Sequence, residues 1–236
     1  MLVLDNLHIG YKSVLFEVSD LKLSTGQLVS LIGPNGSGKT TFLNTILGIT
    51  KPLNGEVLVE NESISEISKA IKVKLLSHVA SKFDGVSHLT VYELIAMGRA
   101  PYTNMLNRLT SEDHKIVSEI IQKLNLTELQ SESTTNISDG ERQIAMIGKA
   151  LAQETKMIIL DEPTAFLDYS NRLKVMKLLK NIAINENKLI VISTHNIEIC
   201  LEFSNVILAV DNKNRTLRKY MDKVSKEELI SDVFNM

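Results

Sequence analysis

Gly33-Pro34-Asn35-Gly36-Ser37-Gly38-Lys39-Thr40 constrains this chain more than any other stretch. The octapeptide satisfies G-x-x-x-x-G-K-[ST], and its flanks fit: residues 28–32 read as a buried strand, and 40–47 as a helix closed by Gly48. A strand, a glycine-rich turn and a helix start together form a nest of backbone N–H groups that faces an anion. Glycine lets those groups converge without side-chain interference, and the positive end of the helix dipole points the same way. On this reading Lys39 reaches the β- and γ-phosphates of a nucleotide, and the Thr40 hydroxyl serves Mg²⁺.

The remaining pattern supplies a sheet for such a loop. After residue 155, a buried strand (157–160), a helix carrying Leu173, Met176, Leu179 and Ile182, and a second buried strand (189–192) alternate as in a parallel sheet covered by helices. Short strands at 2–4, 21–23 and 28–32 precede the loop, with polar turns expected at Asp5-Asn6 and Thr25-Gly26. Another strand is expected at 56–60, and one more at 73–78. Residues from about 88 to 152 read as mostly helical. One helix starts at Thr110-Ser111-Glu112-Asp113, and a last one at Ser225-Lys226-Glu227-Glu228. No stretch resembles a linker, so the expectation is one domain over 1–236 with a helical insertion.

The strand at 157–160 ends in Asp161-Glu162-Pro163. Two adjacent carboxylates there are costly unless a cation or solvent satisfies them. Asp161 is placed to hold Mg²⁺ through its water shell, and Glu162 to polarise an attacking water as general base. Other chemistries find little support. His8, His78, His88 and His114 are too scattered for a metal-ligand spacing. Ser193, His195 and Asp168 could be drawn as a triad, but no G-x-S-x-G elbow accompanies them. With 26 Lys+Arg against 28 Asp+Glu, the chain has no basic footprint for nucleic acid. One cysteine, Cys200, excludes an internal disulfide and fits a core position in a reducing compartment. The apolar runs are far too short to span a bilayer.

Asn136-Ile137-Ser138-Asp139-Gly140-Glu141-Arg142-Gln143, ahead of a helix leading to the Asp161-Glu162 strand, resembles the signature loop of ABC ATPases. Ser138-x-x-Glu141 is equally a capping box, and the two readings are compatible. The family's other motifs match in order. Tyr11 resembles the aromatic that stacks on adenine, or is an ordinary strand aromatic. Asp168, in Ala165-Phe166-Leu167-Asp168, resembles the D-loop acid that crosses a dimer interface, or is a helix N-cap. His195 resembles the switch histidine at the γ-phosphate. The resemblance implies an α/β P-loop NTPase core with a parallel-rich sheet, an N-terminal antiparallel β subdomain and an inserted α-helical subdomain. It implies ATP and Mg²⁺ as cofactors, with Gly33, Pro34, Asn35, Gly36, Ser37, Gly38, Lys39, Thr40 and the following Thr41 on the nucleotide. Thr40 and Asp161 would hold the metal, and Glu162, His195 and His78 would be catalytic. Ser138, Asp139, Gly140 and Glu141 would face the ATP of a partner cassette.

Two departures stand out. The family places a glutamine at the end of the strand before its helical insertion, whereas here Ser77-His78 occupies the place, so His78 is expected to take over that sensing role. Asp139 stands where the signature usually has glycine, and an acid near a phosphate repels it unless it is capped. The stretch from Leu89 to Tyr102 is similar to ATPase subunits of iron–siderophore, haem and cobalamin importers. That similarity implies a homodimer of cassettes on the cytoplasmic face of the membrane, bound to separate transmembrane permease subunits and only indirectly to a substrate-binding protein. The alternative is a soluble ABC ATPase acting in cluster assembly or as a scaffold component.

Overall fold

The computed structural model describes residues 1–103, 108–221 and 224–234. Three antiparallel strands open it: β1 (Leu2–Gly10), β2 (Val14–Val18) and β3 (Leu21–Leu23), with β1 pairing to both others. β4 (Leu28–Ile32) is buried at every position and leads through the glycine-rich loop into α1 (Lys39–Ile46). β5 (Asn54–Val59) returns to pair with β1 and carries the short β6 (Glu62–Ser63). The turn expected at Asp5-Asn6 is instead a bulge inside β1. Asn6 adopts φ 43°, and the β1–β5 register shifts between Asp5 and His8. Asparagine tolerates the left-handed region, and Gly55 opposite has no Cβ to meet Asn6 O, which would lie 2.2 Å from one.

α2 (Lys69–Leu75) and β7 (Leu76–Val79) divide the stretch expected as a single strand. The Val-Lys-Leu alternation mimics a half-buried strand, but no residue of α2 is buried, and Lys72 and Lys74 sit in its last turn, where the helix dipole favours cations. The helical insertion follows as α3 (Val91–Ala96), a 3₁₀ turn (Met97–Tyr102), α4 (Ser111–Lys123) and α5 (Asp139–Ala152). Thr90/Glu93, Thr110/Asp113 and Ser138/Glu141 close reciprocal capping boxes at the three α-helix starts. Arg99 ties this insertion to the end of α5. Only 5% exposed, it donates to Asp113 Oδ1 (2.8 Å), Ala152 O (2.7 Å) and Glu154 Oε2 (2.6 Å), with the Tyr102 ring 4.2 Å from its guanidinium.

β8 (Met157–Leu160), α6 (Tyr169–Asn185), β9 (Leu189–Thr194), α7 (Ile197–Phe203), β10 (Val206–Asp211), β11 (Thr216–Met221) and α8 (Lys226–Phe234) complete the described chain. The strands join in the order β6-β5-β1-β2-β11-β10-β4-β9-β8-β7, with β3 beside β1. No sequence periodicity marks β11, yet it bridges the antiparallel end of the sheet to the parallel end through Thr216 and Glu17.

Both faces of the parallel end are covered. Ile158, Leu160, Ile190 and Ile192 pack with α5 and α6, while Met157, Ile159, Leu189 and Val191 pack with α1 and the N-terminal strands. That two-sided burial explains the unbroken apolar runs. β4, β9 and β8 are parallel neighbours with Ile32 opposite Thr194 and Leu160 opposite Ile192. The chain therefore leaves the sheet on one edge at the glycine-rich loop, at Asp161-Glu162 and at His195. Among the described residues no helix is long and apolar enough to cross a membrane.

Candidate active site

The loop after β4 is shaped by close approaches. A Cβ on Gly33 would meet Ser37 Oγ at 2.7 Å, and Gly38, at φ +95°, would drive a Cβ to 3.0 Å from Leu15 and 3.1 Å from Phe16. α1 begins at that left-handed glycine with no side-chain cap and no acid in its first turn, so its leading N–H groups stay open for a ligand. Ser37 Oγ is buried with no hydrogen-bond partner. Lys39 is buried too, its Nζ donating to Gly33 O (2.8 Å) and Pro34 O (3.0 Å). Burial lowers its pKa, and the Glu162 and Asp161 carboxylates oppose that shift. An open cleft of about 380 Å³ lies over the loop, lined by Leu15, Asn35, Gly36, Gly38, Lys39, Thr40, Thr41 and Glu162. A polyphosphate fits these groups: it would accept from the orphaned Ser37 hydroxyl and the helix N–H groups, and would offer Lys39 a stronger partner than its own loop carbonyls.

The second wall comes from β8 and β9. Thr40 Oγ1 donates to Asp161 Oδ2 across 3.0 Å, which sets two hard oxygens side by side at the cleft. Among the described residues no group of three or more His, Cys, Asp or Glu is placed to hold a metal ion by itself. One carboxylate and one hydroxyl beside a phosphate site suit Mg²⁺, which keeps several waters and leans on substrate oxygens. Ser193, fully buried on β9, donates from Oγ to Asp161 Oδ1 (2.5 Å) and accepts the Glu162 N–H (2.8 Å). Glu162 adopts φ 44°, an uncommon conformation for a side chain of this kind, which that bond helps to hold. Its Oε2 lies 3.4 Å from His195 Nδ1. The sequence alone offers Ser193 only as a triad member; the fold makes it a clamp behind both acids, in register with Leu31 on the loop-bearing strand.

His78 stands on β7 with Ile159 opposite. Burial lowers its pKa, the Asp161 carboxylate raises it and Lys149 lowers it further, with the net direction downward. In its neutral form the ring can donate from one nitrogen and accept at the other. Its neighbour Ser77 is buried against Met157 O and Thr155 and faces away. Tyr11 lies in the bend after β1, 63% exposed, and does not line the cleft; the apolar residue that does is Leu15, on β2. Its signal in the sequence is an apolar side chain out of phase with the buried positions Phe16 and Val18.

The signature residues lie elsewhere. None of Ser138, Asp139, Gly140 or Glu141 lines the phosphate cleft; Asp139 lines a separate cavity with Arg142 and Phe166. Ser138 donates from its N–H (2.8 Å) and its Oγ (2.6 Å) to Glu141 Oε2, and its Oγ accepts the Glu141 N–H (3.3 Å). Those bonds hold the Glu141 carboxyl below its ordinary pKa. The Asp139 carboxylate is paired to Arg142 Nη1 at 2.6 Å, so its charge is capped from within the helix. Gly140 lets α5 approach α6: a Cβ there would meet Asn171 Cγ at 2.7 Å. Asn171 in turn gives Asp168 its N-cap bond (2.8 Å) and a side-chain bond (3.0 Å), so the signature glycine and the Asp168 loop meet through one residue. Phe166 and Tyr169, either side of Leu167-Asp168, are exposed.

The sequence profile of the ABC transporter family matches residues 16–165. An uncharacterized ABC transporter ATP-binding protein of Methanocaldococcus jannaschii is 35% identical over 100% of this chain and 82% of its own length. The achromobactin transport ATP-binding protein of Dickeya dadantii is 30% identical over 98% of this chain and 86% of its own. Among solved structures, a metal-chelate type ABC transporter in an inward-facing conformation superposes with a TM-score of 0.83 at 27% identity, covering 100% of this chain and 88% of that one. A dimeric ATP-binding cassette in a post-hydrolysis state, bound to ADP and Pi, gives 0.79 at 26% identity over 95% and 100% of the two chains.

Proposed function

We propose that this chain, which belongs to the ABC transporter family as an ATP-binding cassette and ATPase, works as a pair of copies that hydrolyse ATP to energise import of a metal chelate through separate membrane subunits. The observation that carries the paired reading is the division of the site. The phosphate loop, Asp161, Glu162 and His195 share one edge of the sheet, whereas the Ser138 helix start lines a different surface. One chain cannot bring its own Ser138 to its own loop; a second copy related by a two-fold axis can. The dimeric cassette bound to ADP and Pi supports the same geometry.

In that arrangement the loop N–H groups, Ser37 and Lys39 orient the triphosphate. Thr40 and Asp161 would hold Mg²⁺, which when bound neutralises charge building on the β- and γ-phosphate oxygens. Glu162 accepts a proton from the attacking water as the water oxygen bonds to the γ-phosphorus and the bond to the β–γ bridging oxygen breaks. His195, beside Glu162, donates to the γ-phosphate, and His78 reports on the same atoms from the β7 edge. The partner's Ser138 turns its hydroxyl from Glu141 to the γ-phosphate. ATP in both sites favours the closed pair, and hydrolysis releases it.

The import reading is supported by the siderophore-transport and metal-chelate relatives, and by an apolar groove of about 350 Å³ on the insertion, lined by Tyr92, Ala96, Met97, Ala100 and Leu109 among others. The groove suits an apolar segment of a permease and would place the cassette peripherally on the cytoplasmic face of the membrane. The test is photo-crosslinking from a probe at position 97 in intact cells. Capture of a multi-span membrane protein is expected. Capture of a soluble assembly factor alone would replace transport by the cluster-assembly reading.

A further inference from the structure

The segment that follows His78 and the loop that presents Ser138 are joined at one fully buried side chain, Thr134. Its Oγ1 accepts the Val86 N–H (2.9 Å) and donates to Val86 O (3.1 Å). Its own N–H donates to Leu89 O (2.8 Å), and its carbonyl accepts Arg142 Nε–H (2.8 Å). Arg142 spends its other nitrogens on Ile137 O (2.9 Å) and Asp139 Oδ1 (2.6 Å), the residues on either side of Ser138. Gly85, at φ +81°, passes so close that a Cβ would sit 2.7 Å from Thr134 O. Three hydrogen-bonded steps therefore lead from Val86 through Thr134 and Arg142 to the residues that flank the signature serine. At the other end, the segment starts from β7, where Val79 O takes the Asp161 N–H (3.0 Å).

Beside this junction lies a cavity of about 150 Å³ between the segment (Ser81, Phe83), α5 (Gln143, Met146) and the turn after Glu162 (Pro163, Leu167). Gln143 Nε2 is buried there without a partner. The segment borders that space, and beyond the Thr134 hydroxyl it is tied to residues 130–134 by backbone bonds such as Val91 N–H to Glu132 O (3.0 Å).

We infer that Thr134 is a positioning residue for the composite site: its hydroxyl locks the segment after His78 to the loop that presents Ser138, so that a displacement of one carries the other. A hydroxyl donates and accepts at once, which valine, of the same shape, cannot do and serine can. The inference rests on the two-cassette reading above.

The test uses the cassette carrying Glu162→Gln, which slows turnover and lets ATP-driven pairing be read by light scattering at fixed protein concentration. Thr134→Val is expected to raise the ATP concentration for half-maximal pairing about tenfold. ADP affinity of the single cassette should stay within about twofold, and Thr134→Ser should restore pairing to within about twofold of the parent. Pairing by Thr134→Val at the parent's ATP concentration overturns the inference. So does a loss of ADP affinity in proportion to the loss of pairing, which would mark general unfolding, or a Thr134→Ser variant as impaired as Thr134→Val. A Glu162→Gln parent that never pairs with ATP refutes the two-cassette function itself, and the inference with it.

Discussion

Replacing Ser193 with alanine removes one hydroxyl that serves two acids. The Ser193 Oγ–H···Asp161 bond, at 2.5 Å, has an ionised acceptor, and bonds of that kind contribute about 1.5–3 kcal/mol. The same oxygen accepts the Glu162 N–H at 2.8 Å, and a donor left without a partner costs about 1–3 kcal/mol when water cannot reach it. Both acids are partly exposed, so water recovers some of the second term, and a net loss of about 2–3 kcal/mol is reasonable. That loss falls on the geometry of the metal-holding carboxylate and on the general base, whose φ of 44° is otherwise unfavourable.

If it is expressed in the transition state, kcat falls about 30- to 160-fold. Nucleotide binding, which depends on the loop and Lys39, should change by less than about threefold. The assay is steady-state phosphate release at saturating Mg²⁺ and ATP, paired with calorimetric titration of the nucleotide. A folded Ser193→Ala cassette with kcat within twofold of the parent would show that the clamp is not needed to hold the acids.

Glu162→Gln should lower kcat at least about 100-fold while retaining ATP binding, and single-turnover chemistry compared with equilibrium binding separates the two. Arg99→Met leaves Asp113 buried without its guanidinium, a loss of about 3 kcal/mol, which corresponds to about 6–12 °C in Tm for a chain of this size. A calorimetric shift under 2 °C would contradict that assignment. Asp113 itself is held at about 2, below its ordinary 3.8, by the Thr110 N–H and hydroxyl and by Arg99. Its contribution is complete above the unfolded value and is lost as pH falls through the folded one, so Asp113→Asn should flatten the acid limb of urea-unfolding free energy between about pH 4 and 2. An unchanged slope would move the acid sensitivity to other carboxylates.

The strands around the phosphate loop were legible because burial on both faces forces continuous apolar runs, and the helix starts because Thr110, Ser138 and their acids cap at fixed spacing. Three places were not. Residues 73–75 alternate like a strand but belong to α2, since alternation in a seven-residue exposed helix carries no face to bury. β11 has Arg218 and Lys219 at its centre and is held by its pairing with β10, a long-range fact that local pattern does not contain. The bulge at Asn6 replaces an expected turn because Gly55, distant in sequence, leaves it room.

At the site itself, motif spacing identified groups whose side chains meet ligand, and missed those that act on other protein groups. Ser193 and Arg142 are of the second kind: each is an ordinary residue in sequence, and its importance comes from what the fold sets opposite it. Asp139 shows the consequence. Judged alone, a carboxylate in the signature threatens phosphate binding by repulsion. In the structure Arg142 pairs with it at 2.6 Å while also holding Thr134 O and Ile137 O, so the acid anchors the arginine that fixes the loop. A glycine at that position would leave Arg142 Nη1 without this carboxylate. The repulsion expected from the acid and the support it gives the loop act on the same serine in opposite directions, and the short Asp139–Arg142 contact favours support.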